Sequence, residues 1–207
     1  MYIKDYNALF LHIPRTGGTS VERLFGYMGG MSTYDESKGM SQDHRTAKQV
    51  KPLLGPLWDS CFKFTIVRNP WDKMASMYFY RLNSPFYNSV PNEWENLYRK
   101  KHGDNPTFER WLERLEWANN KVRLTGCFDQ LNYITVDNEV VCDLIIDFSQ
   151  MNEGWQKLKS MIDCDMDLPH LNKSKNKKSY KDLYNSKTDS IIKKRFARDI
   201  DYFGFKL

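Results

Sequence analysis

Leu9-Phe10-Leu11-His12-Ile13-Pro14-Arg15-Thr16-Gly17-Gly18-Thr19-Ser20 is an apolar run that breaks into a Gly-Gly loop and then enters a helix-like segment, Val21 to Met28. The loop carries one cation and three hydroxyls. A short apolar run bounded by turn residues reads as a buried strand. A buried strand, a tight glycine turn and a helix start together make an anion site. Backbone N–H groups converge there, the helix dipole is positive, and glycine lets a ligand approach the main chain. The loop departs from the phosphate pattern G-x-x-x-x-G-K-[ST]: it lacks the first glycine, and Arg15 precedes the glycines where that lysine follows them. On this stretch alone, an ordinary strand-to-helix turn stays open beside a phosphate-type site.

A second apolar run, Phe62-Lys63-Phe64-Thr65-Ile66-Val67, ends in Arg68-Asn69-Pro70-Trp71. Proline suits a first helical turn, and Met74, Met77 and Tyr78 recur at helical spacing after it. In a magnesium-dependent nucleotide enzyme with such a loop, this strand end carries an aspartate that holds the metal. Arg68 takes that place here. A cation binds phosphate directly and repels Mg²⁺, so the reading is a metal-free site that recognises a second anion.

With both motifs in view, the chain resembles the sulfotransferase family that includes the Golgi carbohydrate O-sulfotransferases and their bacterial relatives. His12 to Ser20 resembles that family's HIPKTGGTS loop. Phe64 to Lys73, with Ser76, resembles its RNPWDR-like stretch and the serine eight positions after the arginine. Leu168-Pro169-His170-Leu171-Asn172-Lys173-Ser174 is similar to its HLNKS loop, and Asp199-Ile200-Asp201-Tyr202-Phe203-Gly204-Phe205 to its DI-x-x-FGY ending. The matches run in order from residue 9 to the C-terminus.

The resemblance implies an O-sulfotransferase that uses 3′-phosphoadenosine 5′-phosphosulfate (PAPS) without a metal and sulfates an acceptor hydroxyl, mainly on carbohydrate. Carried over, it assigns Arg15, Thr16, Gly17, Gly18, Thr19 and Ser20 to the phosphosulfate and Arg68 and Ser76 to the 3′-phosphate. Lys173 and Ser174 fall in the loop that covers the nucleotide. Two departures stand out. Arg15 replaces the family's usual lysine; it keeps the charge and can fork onto two oxygens, but it does not donate a proton at neutral pH. Asp147, in Ile146-Asp147-Phe148-Ser149-Gln150-Met151, stands where relatives that read G-R-F-E-N-L have arginine.

Sulfuryl transfer to a hydroxyl also needs a base, and the chain has four histidines. His12 lies in the first apolar run and reads as a satisfied core residue. His102 sits in a solvated-looking stretch, and His170 shapes the HLNKS-like loop. His44, in Asp43-His44-Arg45-Thr46-Ala47, is the candidate base. It opens a helical segment to about Leu54, relatives carry an H-x-x-A element in this interval, and an ordinary imidazole pKa of ~6.5 suits the task. Asp43 and Glu22 stand in reserve, with His44 then a residue that holds the loop.

Composition sets the class. With 207 residues, 41% hydrophobic and 14% aromatic, the chain reads as one ordered domain, 1–207, with a substantial core. No apolar run approaches the ~20 residues of a membrane span, and Met1 to Asn7 gives no signal peptide. Cys61, Cys127, Cys142 and Cys164 form no C-x-x-C pair and read as reduced thiols. The expected setting is a bacterial or viral cytoplasm. Net charge is +5, and Lys173, Lys175, Lys177, Lys178 and Lys181 crowd one stretch, read as a flap over the nucleotide or toward an acidic acceptor, with a solvated loop as the bland alternative. No nucleic-acid motif is present.

The expected fold class is α/β, with a mainly parallel sheet flanked by helices and a nucleotide-binding core like that of the P-loop proteins. Strands are expected at 7–13, 62–67 and 143–148, with a hairpin turning at Asp137-Asn138 between 132–136 and 139–142. Helices are expected near 19–28, 44–54, 70–82, 107–118, 153–163 and 188–200. Residues 83–105, with Pro85, Pro91, Trp94 and Tyr98, read either as the lining of an acceptor cleft or as aromatics packed on the core. Two other readings stay open: a P-loop kinase, which needs the missing aspartate, and a nucleotide- or polyanion-binding protein without catalysis.

Overall fold

The computed structural model describes residues 1–26, 34–35, 40–41, 44–83, 107–117, 129–169 and 179–207. They fall into two compact units: Met1–Arg68 with Gln130–Lys175, and Asn69–Asp129 with Asn176–Leu207.

The first unit is built on a four-stranded sheet of β1 Tyr2–Ile3, β2 Ala8–Phe10, β5 Phe62–Val67 and β8 Leu144–Asp147. The strands lie side by side in the order β1-β2-β5-β8. β2, β5 and β8 run parallel, and only β1 is antiparallel. Parallel strands buried on both faces read as continuous apolar runs rather than alternation. That is why Ala8–Phe10 is wholly buried and Phe62–Val67 buried at five of six positions. Two short pairs, β3 Tyr34–Asp35 with β4 Met40–Ser41 and β6 Thr135–Val136 with β7 Glu139–Val140, complete the described strands.

Around this sheet lie α1 Gly18–Leu24, α2 Ala47–Leu54, α3 Leu57–Ser60, α6 Leu131–Ile134 and α7 Met151–Ile162. α7 returns onto β8 through Gly154, where a Cβ would lie 2.4 Å from Ile146 Cγ2. Trp155 and Leu158 of α7 join Phe10, Phe64 and Ile66 in one core.

The second unit contains α4 Pro70–Asn83, α5 Phe108–Trp117, α8 Ser186–Arg195 and α9 Ala197–Phe203. Its core gathers Trp71, Met74, Phe108, Leu112, Ile192 and Phe196. Trp71 Nε1 donates to Asp189 Oδ1 at 3.0 Å, and Tyr184 Oη donates to the Trp71 carbonyl at 2.7 Å. Burial raises the Tyr184 phenol above its ordinary value, which keeps it a donor.

Several sequence expectations change. The first strand is shorter than 7–13: Asn7 turns left-handed at φ 43° and delays its start, and it ends at Phe10, although Leu11 still donates to the Phe64 carbonyl at 2.9 Å. α2 starts at Ala47 rather than 44: Thr46 forms a capping box with Gln49, so His44 precedes the helix. The expected helix over 188–200 is two helices, broken at the fully buried Phe196. The hairpin turns where expected, with Asp137 at φ 52° and Asn138 at φ 68°, but Leu131–Ile134 is helical and shortens its first strand. The expectations for Gly29-Gly30, most of 83–105, Asp43, His102, Cys127, His170, Lys173 and Ser174 lie outside the described residues. Among the described residues, no helix is long and apolar enough to cross a membrane.

Candidate active site

After β2 the chain runs through Leu11, His12 and Ile13 and turns sharply. Arg15 adopts φ +70° and Gly17 φ +93°. A side chain rarely occupies that region, so strain is stored at Arg15. Thr16 is fully buried, and its hydroxyl donates to the Ile13 carbonyl at 2.8 Å. This hydroxyl therefore ties the loop together. Ser20 N–H closes the turn on the Gly17 carbonyl at 3.1 Å.

Gly17 is required by its positive φ and Gly18 by a neighbour. A Cβ on Gly17 would meet Phe148 at 3.0 Å, whereas one on Gly18 would lie 2.1 Å from His12 Cδ2. His12 is buried, as its apolar run suggests, and its Nδ1 lies 2.6 Å from Glu22 Oε1. The two side chains share one short, buried hydrogen bond. Glu22 is thus committed to a buried pair one helical turn into α1, which weakens its place as a reserve base. The His44 ring stands edge-on to that of His12, with centroids 4.5 Å apart. The structure therefore brings His44 to the glycine loop from a segment outside it.

Arg68 follows the last residue of β5. Its backbone is held from both sides: Arg68 N–H donates to Gln130 Oε1 at 2.8 Å, and Gln130 Nε2 donates to the Arg68 carbonyl at 2.9 Å. The guanidinium donates from Nη1 to the Arg15 carbonyl at 3.0 Å and lies over the Phe148 ring, 4.2 Å from its centroid. Arg15 and Arg68 thus share the ends of neighbouring parallel strands. In open α/β sheets this is where ligands bind.

Among the described residues, Asp147 forms no ion pair of the kind an arginine there would make. Its Oδ1 accepts from Ser149 N–H and Ser149 Oγ, both at 2.7 Å, and caps the 3₁₀ turn Phe148–Gln150. Ser76 lies on α4 in the second unit, half-buried. Gln130 and Phe148 escaped the sequence reading. Gln130 belongs to no motif, and Phe148 matches the F of G-R-F-E-N-L, a stretch where only the departure at Asp147 stood out. Among the described residues, no group of three or more His, Cys, Asp or Glu side chains is arranged to hold a metal ion.

A mainly parallel sheet whose strands lead into a strained glycine loop and two arginines defines an α/β protein with a candidate anion site. The model of the sulfotransferase family matches residues 1–206, and the chain belongs to that family. The match takes in both compact units except Leu207. No curated protein matches the chain. A solved structure of mouse sulfotransferase SULT7A1 complexed with PAP is similar over 94% of this chain, at 16% identity and a TM-score of 0.37. The chain spans 66% of the length of that structure.

Proposed function

We propose that this chain transfers the sulfuryl group of PAPS to an acceptor hydroxyl. The observation that carries the reading is the pair of arginines at adjacent strand ends, with Arg68 bonded to the Arg15 carbonyl, in a chain of the sulfotransferase family. PAPS has two anionic ends, a 5′-phosphosulfate and a 3′-phosphate, and two neighbouring cations suit such a molecule. Arg15, Thr16, Gly17, Gly18, Thr19 and Ser20 hold the phosphosulfate in this reading, Arg68 and Ser76 the 3′-phosphate, and Lys173 and Ser174 cover the nucleotide.

PAPS supplies an activated sulfuryl group. As the acceptor oxygen bonds to sulfur, the bond from sulfur to the bridging phosphate oxygen breaks. The acceptor proton passes to the imidazole of His44. Negative charge collects on the leaving phosphate, where Arg15 stabilises it. The acceptor is a carbohydrate hydroxyl, and the net charge of +5 favours an acidic glycan. The whole chain acts as one sulfotransferase domain. A reducing cytoplasm suits Cys61, Cys142 and Cys164, which are free thiols.

Calorimetry with adenosine 3′,5′-bisphosphate, and separately with ATP and Mg²⁺, tests the donor. Metal-independent binding of the bisphosphate is expected; metal-dependent binding of ATP in its place would point to a kinase and refute the reading. A charge-assisted contact contributes about 1.5–3 kcal/mol, so Arg68→Ala should weaken bisphosphate binding by about 10- to 150-fold. Adenosine 5′-phosphosulfate, which lacks the 3′-phosphate, should be affected far less. Labelled PAPS with a panel of glycans then tests transfer; bisphosphate binding without transfer to any acceptor would leave a binding protein.

A further inference from the structure

β5 and β8 pair in parallel register with Val67 opposite Asp147, so Arg68 and Phe148 leave the sheet side by side. The Phe148 ring lies beneath the Arg68 guanidinium at 4.2 Å from its centroid. The same ring meets the glycine loop, because a Cβ on Gly17 would stand 3.0 Å from Phe148 Cε2 and 3.3 Å from Cδ2. The Arg15 carbonyl, accepting from Arg68 Nη1 at 3.0 Å, closes the circuit. Asp147 fixes the turn that carries the ring, through Ser149 N–H and Oγ. One aromatic side chain therefore touches both the loop and the second cation.

We infer that Phe148 is a positioning residue that sets the Arg68 guanidinium for its anion, and so governs how strongly the site distinguishes a nucleotide bearing a 3′-phosphate from one without it. The inference rests on the nucleotide reading given above. An arginine has many rotamers, and ordering it when a ligand binds subtracts from affinity. Arg68 is ordered by folding instead, between a ring face and a carbonyl. A ring face engages the positive charge without taking an N–H donor, as a hydrogen bond would. The oxygens of a phosphate thus meet a cation already in place.

The test is calorimetric and needs no acceptor. Adenosine 3′,5′-bisphosphate and adenosine 5′-monophosphate are titrated into the wild type and Phe148→Leu, Phe148→Met, Phe148→Tyr, Arg68→Gln and Arg68→Gln/Phe148→Leu. Two ringless variants of different shape keep the test open if one fails to fold, as judged by thermal melting. Phe148→Leu and Phe148→Met are each expected to lose about 3- to 30-fold in bisphosphate affinity, the range of a cation–π contact, and less than about twofold for the monophosphate. Phe148→Tyr keeps the ring and should stay within about twofold of wild type for both. In the Arg68→Gln background, Phe148→Leu should cost nothing further. Equal losses for the two nucleotides, or the same loss added to that of Arg68→Gln, would overturn the inference and leave Phe148 a support for the loop. A wild type that binds the bisphosphate no better than the monophosphate overturns the nucleotide reading itself, and the wild-type titrations alone reveal that.

Discussion

Gly18→Ala adds one methyl group, and the structure says where it goes. The new Cβ would lie 2.1 Å from His12 Cδ2 and 2.2 Å from Nε2. Carbon atoms ordinarily meet at about 3.5–4.0 Å, so the imidazole would have to retreat by roughly 1.5 Å. It has nowhere to go. His12 is 6% exposed, its Nδ1 is bound to Glu22 at 2.6 Å, and its ring stacks on Phe10 with centroids 5.4 Å apart. Overpacking of this kind costs about 1–3 kcal/mol, and a lost charge-assisted hydrogen bond about 1.5–3 kcal/mol. Alanine's better helix propensity returns at most about 1 kcal/mol. The clash wins, with a net loss of about 2–5 kcal/mol. At about 2–4 °C per kcal/mol for a chain of this size, Tm should fall by roughly 4–20 °C. Thermal melting by circular dichroism reads this directly. The decisive comparison is the same substitution in a His12→Ala background, where the methyl has room and should change stability by less than about 1 kcal/mol. An equal loss in both backgrounds, or a Gly18→Ala protein that melts within about 2 °C of wild type, would refute the steric argument.

The remaining expectations concern chemistry. Arg15→Ala should lower kcat by about 10²-fold or more, on the scale of losing one donor to a developing charge, while Arg15→Lys retains much of the activity; steady-state rates with PAPS and an acceptor decide this, and a lysine variant as inactive as the alanine one would show that the fork itself is needed. His44→Ala should bind the bisphosphate normally yet lose about 10²–10⁴-fold in turnover, and His44→Asn likewise. Either variant keeping more than about a tenth of wild-type kcat would make His44 structural. Burial pushes the Cys142 thiol up to about 12. Unfolding frees it to ionise near its ordinary ~8.5, so the stabilisation is complete below that pH and is lost as pH rises toward the folded value. Cys142→Ala should therefore lose less stability than wild type in denaturant titrations compared between about pH 9 and pH 10.5.

Some of the site was readable because its signals are local. Residues 9–20 show a strand, a turn and a helix start through apolarity and glycine, and Arg68 before Pro70 marks a strand end and a helix start. Those features gave the parallel sheet with its loop and both arginines. Local signals failed where a partner far along the chain decides the outcome. Nothing near Phe196 announces a break: there is no glycine or proline, and the helix ends there because the ring is drawn into the second core. α2 starts late for a local reason that the sequence did offer: Thr46 and Gln49 form a capping box, which makes Ala47 the first helical residue.

The sequence by itself determined that an anion site follows β2 and that a cation ends β5, since strand, glycine turn and charge are each written within a dozen residues. Only the tertiary structure decided why both glycines are required, Gly17 by its positive φ with the Phe148 ring close by and Gly18 by the His12 imidazole. It also decided what holds Arg68, whose backbone is gripped by Gln130 from 62 residues away and whose charge rests on a ring carried by the turn that follows the neighbouring strand. The reason is physical: periodicity and propensity act between residues a few positions apart, whereas packing and hydrogen bonding select their partners by distance in space, which leaves no pattern along the chain.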